Sequence, residues 1–159
     1  MSDSGRDMLR HTVATLAYRG AKAVRGAPEG FGDFKASPTS RTPSQILSHI
    51  CDLMDWALTQ ARGNQSWTDS TPGTWDDDTA RLFKALRALD EYLASGEPLG
   101  YEPGQIFQGA IADALTHVGQ INYLRRMFGN PVRGENYFRA DITTGRVESD
   151  QAAPRREFD

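Results

Sequence analysis

The chain has 159 residues and a formal net charge of −3, with 38% hydrophobic and 25% charged residues, proportions that suit one globular domain. The charge argues against a dedicated nucleic-acid binder, which presents a basic face, and no apolar run approaches the ~18 residues of a membrane span. A single cysteine, Cys51, excludes an internal disulfide and a cysteine-rich zinc site.

Ala and Leu together number 30 against 11 Ile and Val, a bias toward helix. The first residues lack the basic start and apolar core of a secretory signal, so a cytoplasmic location is expected. The first helical stretch runs from about Met8 to Val24, with Leu9, Val13, Leu16, Ala17 and Val24 on one face. Residues 25–41, rich in Gly, Pro and Ser, read as a loop.

Thr42-Pro43-Ser44-Gln45 spells a capping box that opens the second helix, and Ile46, Ile50, Leu53 and Ala57 form its stripe. After a second loop, Thr74 opens helix three, where Asp76, Asp77 and Asp78 suit the positive end of the dipole. Leu82, Leu86, Leu89 and Leu93 are its seam, and Gly96 ends it. The fourth helix begins near Pro103 and continues to Phe128, with Arg125 and Arg126 at its negative end. Residues 1–145 are read as one all-α domain, a four-helix bundle with long connecting loops, and 146–159 as a flexible tail. Tyr137, Phe138 and Ile142 are the residues that pin the C-terminal part to the helices.

Helix four carries the feature that points to chemistry. At about 100° per residue, Ile106, Ala110, Ala114, Ile121, Leu124 and Phe128 define an inward arc, and Asp113 and His117 fall inside it. Two titratable groups one turn apart on an apolar face need partners. A metal ion satisfies them, and so does a buried Asp–His hydrogen bond. His49, on the edge of the second helix's stripe, supplies a third donor if helices two and four are neighbours. Two imidazoles and a carboxylate are a set used for zinc or non-haem iron with an open position.

Other polar residues read as structural. Gln120 is expected in an interhelical hydrogen bond, Asp52, Asp55 and His11 in solvent, and Cys51 in the core as an inert thiol. Trp56, Trp67 and Trp75 are candidates for a pocket mouth or for the core.

The stretch from Asp113 through His117, Gln120, Arg125 and Arg126 to Gly129 and Pro131 resembles the last bundle helix of DinB/YfiT-like proteins, and Thr42–Ile50 resembles their second helix. The resemblance spans about Met8 to Pro131. It implies a helical bundle, often dimeric, that binds zinc, nickel or a similar divalent ion. Its ligands here would be His49, His117 and, where the family usually has histidine, Asp113. It further implies a metal-dependent enzyme that activates a low-molecular-weight thiol, or water, for attack on a small electrophile, as a thiol transferase or a hydrolase. The rival reading is a non-catalytic stress or binding protein with Asp113 and His117 paired structurally.

Overall fold

The computed structural model describes residues 3–158. They are mostly helical. Helix α1 (Ser4–Val24) starts a turn earlier than apolar periodicity alone indicates, because the Asp3 carboxylate caps it by accepting from the Arg6 amide at 3.2 Å. Helix α2 (Pro43–Ala61) opens on the full capping box, with Thr42 Oγ1 accepting from Gln45 N and Gln45 Oε1 from Thr42 N. Helix α3 (Trp75–Ala94) is capped by Thr74, as expected.

The last helical run has three parts. Helix α4 (Pro103–Ile106) passes through a π-helical turn (Phe107–Ile111) into α5 (Ala112–Met127) without leaving helical backbone. Around the core the long helices follow one another in the order α1, α3, α2, α5, each packing mainly on two neighbours. Leu16, Leu47, Ile50, Met54, Leu86, Leu89 and Ile121 are among the fully buried side chains between them. At roughly 1.5–3 kcal/mol for each large apolar side chain buried, this contact is the main term holding the helices together. No helix among the described residues is long and apolar enough to cross a membrane.

Two polar devices fix the ends. Arg125 is buried, and its guanidinium donates to the carbonyls of Ala23, Arg25 and Gly26, and to Asn130. It therefore satisfies the exposed carbonyl end of α1, not only the end of its own helix. At the other side, Gly63 and Gly100 let two backbones touch. A Cβ on Gly100 would lie 2.1 Å from the Gly63 Cα, and the Gly100 amide donates to the Ala61 carbonyl at 2.9 Å.

Beyond α5 the chain returns along α1. Strands β1 (Gly134–Glu135) and β2 (Glu157–Phe158) pair antiparallel, and Lys22 Nζ bridges Glu135 and Glu157 at 2.9 and 3.0 Å. Tyr137 packs edge-on against Tyr18, as expected of an anchor, but Phe138 points almost wholly into solvent. Within the segment read as a flexible tail, Val147 is buried against the core.

Candidate metal centre

His49 lies midway along α2, at the rim of its apolar stripe. His117 sits on α5, the neighbour of α2, so the two imidazoles meet across the groove with ring centroids 4.8 Å apart and planes nearly perpendicular. Asp113, one turn before His117, reaches between them. Its Oδ2 lies 3.5 Å from His49 Nε2 and 3.4 Å from His117 Nε2. The three expected residues thus form one group that can hold a metal ion, each offering one donor atom, all within 4.8 Å of one another.

The expected burial of Asp113 is corrected. Its side chain is 48% exposed, whereas His117 is 14% exposed. A uniform 100° step carried through the helix puts Asp113 among the apolar residues. The π turn, bonded i→i+5, advances less per residue and rotates everything after it. The buried face of α5 becomes Ala114, Val118, Ile121 and Leu124, and Asp113 moves to the rim. An open rim position suits a ligand better than the core, because an ionised carboxylate there keeps part of its hydration.

The distances bear on what the group can do. A charge-assisted hydrogen bond between imidazole and carboxylate is ~2.7–2.9 Å, shorter than either contact here. Donors around a tetrahedral ion, with bonds of about 2.0–2.2 Å, stand roughly 3.4 Å apart. The two carboxylate–imidazole spacings are close to the second value, while the widest donor pair spans up to 4.8 Å, and two nitrogens with one oxygen are a donor set that suits zinc, nickel or iron.

Gln120 is corrected from an interhelical to an intrahelical role. Its Oε1 lies 2.7 Å from His117 Nδ1, one turn along the same helix. An amide oxygen accepts, so the ring's Nδ1–H donates there, and Nε2 is the ring atom that faces Asp113. Such a partner sets both the tautomer and the orientation of a ligating histidine.

The loop after α2 brings Trp67, read from the sequence as a candidate for a pocket mouth or for the core, to the edge of this group. Trp67 packs edge-on against His49 with centroids 5.5 Å apart, and Trp56 packs against Trp67. Trp75 lies elsewhere, against Phe31 in the core. The loop is tied down by Asp52, expected in solvent but only 2% exposed. Its carboxylate accepts from Ser70 N at 2.9 Å, Ser70 Oγ at 2.7 Å and Arg81 Nη2 at 2.6 Å. Burial pushes the Asp52 carboxyl up, but Arg81 and Ser70 together hold it below the usual range. Asp55 remains half exposed and shares Arg81.

Cys51 is buried as expected, its thiol donating to the Asp78 carbonyl, and burial pushes it up to about 12. His11 is exposed, beside Thr144. A cavity of about 700 Å³ opens next to the histidines, with Ile46, Leu124, Tyr123 and Arg41 in its wall.

No family model, curated protein or solved structure matches the chain. The class of site is therefore defined by its own donors: a two-histidine, one-carboxylate group at the rim of an all-α fold.

Proposed function

We propose that the chain is a four-helix bundle of the DinB/YfiT-like type and a metal-dependent enzyme, acting as a cytoplasmic homodimer. His49, Asp113 and His117 hold a divalent ion. The observation that carries this reading is one oxygen, Asp113 Oδ2, set 3.5 and 3.4 Å from two imidazole nitrogens on neighbouring helices. When bound, the ion supplies Lewis acidity, lowering the pKa of a thiol or water at its open position so that the anion attacks a small electrophile. Thiol transfer is the reaction that the sequence resemblance favours, and hydrolysis uses the same ligands.

The surrounding residues have defined tasks. Gln120 keeps His117 in the ligating tautomer. Trp67 covers the outer side of the His49 ring and narrows the approach of water. The adjoining cavity, of a size that accepts small ligands, admits the substrate from the α5 side.

Metal analysis of protein purified without an affinity tag tests the reading. A stoichiometric divalent ion is expected, lost in His49→Ala. A parent protein that carries no ion, and takes up neither zinc, nickel nor iron(II) on dialysis, overturns it in favour of a structural Asp113–histidine cluster.

A further inference from the structure

The wall of the 700 Å³ cavity combines an apolar surface with one cation. Ile46 and Leu124 line it, and so do His49 and His117. Arg41, the residue just before the α2 capping box, is the only Lys or Arg among the described residues of this wall. Two other arginines near α2 and α5 are committed. Arg81 holds Asp52 and Asp55, and Arg125 is consumed by backbone carbonyls. Among the described residues no carboxylate pairs with Arg41, which is exposed toward the cavity and a small recess beside it. Asp69 lines that recess, and no ion pair joins it to Arg41.

We propose that the cavity binds a small carboxylic acid in an extended pose, with its carboxylate on Arg41, its carbon body on Ile46 and Leu124, and its reactive end at the histidine–aspartate group. This rests on the metal-centre reading above and names the substrate class for it. Two charges favour the same sign of ligand. A divalent ion with two neutral imidazoles and one carboxylate keeps a net positive charge, and Arg41 adds a second in the same wall. Guanidinium meets a carboxylate through two parallel N–H donors, so the same contact that attracts the acid also orients it. An acid anchored this way presents its far end to the metal ligands, which converts a diffusional encounter into a positioned one.

The test uses cobalt(II)-loaded full-length protein and two thiol probes that differ in one group, 3-mercaptopropionate and 3-mercaptopropionamide. Binding is read from the cobalt–thiolate absorption, with His117→Ala protein as the blank. The acid should bind about tenfold more tightly than the amide, the size of one charged hydrogen-bonding contact worth ~1.4 kcal/mol. Arg41→Gln should abolish that preference while leaving the amide unchanged, and Arg41→Lys should keep part of it. A cobalt spectrum with equal affinities for the two probes, or a preference that survives in Arg41→Gln, overturns the assignment of Arg41 and leaves the metal centre standing. Absence of any site-bound cobalt spectrum overturns the metal centre itself, and this proposal with it.

Discussion

Asp52→Asn isolates the polar knot that ties the tryptophan loop to α2. The carboxylate accepts three hydrogen bonds at 2.6–2.9 Å while 2% exposed. Hydrogen bonds to charged groups contribute about 1.5–3 kcal/mol each, but asparagine keeps one acceptor oxygen. Arg81 also keeps Asp55 at 2.8 Å, so no cation is stranded. Removing the charge additionally relieves the cost of desolvating it, leaving a net loss of roughly 2–3 kcal/mol. For a chain of this length that corresponds to a fall in Tm of roughly 5–10 °C, read by circular dichroism or urea unfolding. The pH dependence has a definite sign. Asp52 is held below its ordinary value in the fold, so its contribution is complete above the unfolded value near 3.9 and is lost as pH falls through the folded value. The gap between parent and variant should stay level from pH 7 to about 5 and shrink below about 4. Tryptophan emission should shift to the red as the loop loosens. A loss under about 0.5 kcal/mol, or a gap that widens in acid, would refute the reasoning.

Asp113→His replaces an anionic oxygen with an imidazole nitrogen, so competition titrations should show a stronger preference for zinc, copper and nickel over manganese than in the parent. Asp113→Ala should weaken binding of every ion, and undiminished affinity would remove Asp113 from the site. Gln120→Leu should cost about 10–100-fold in metal affinity by releasing the His117 ring, measured by chelator competition. Cys51 should resist a thiol reagent at pH 8 until the protein is unfolded, since burial holds it protonated. Fast labelling of native protein would contradict its placement in the core.

What was legible in the sequence was local. The Thr42–Gln45 box and the Thr74 cap depend on residues three apart, and both formed as read. The leucine seam of α3 is buried because one period governs its whole length. His49, Asp113 and His117 could be brought together on paper because each lies on a periodic helix and α2 and α5 are neighbours. Three things were not fully legible. Asp52 looked like a surface carboxylate because its partners, Ser70 and Arg81, are 18 and 29 residues away. Trp67 was legible only as a candidate for a pocket mouth or for the core, because it stands on a loop, where no period predicts direction. Asp113 was assigned to the wrong side of the rim because a single π turn interrupts the period without changing composition.

That π turn makes the helix's hydrogen-bonding pattern part of the site. Between Pro103 and Asp113 the helix spends its residues on a wider turn, and α5 emerges with its donors facing α2 at the rim. The turn absorbs about one residue, so i→i+4 bonding run through the same number of residues would swing α5 by roughly 100° about its axis and drive Asp113 toward the apolar core. A helix of the same length without the wider turn would spell the same three ligands and fail to converge them.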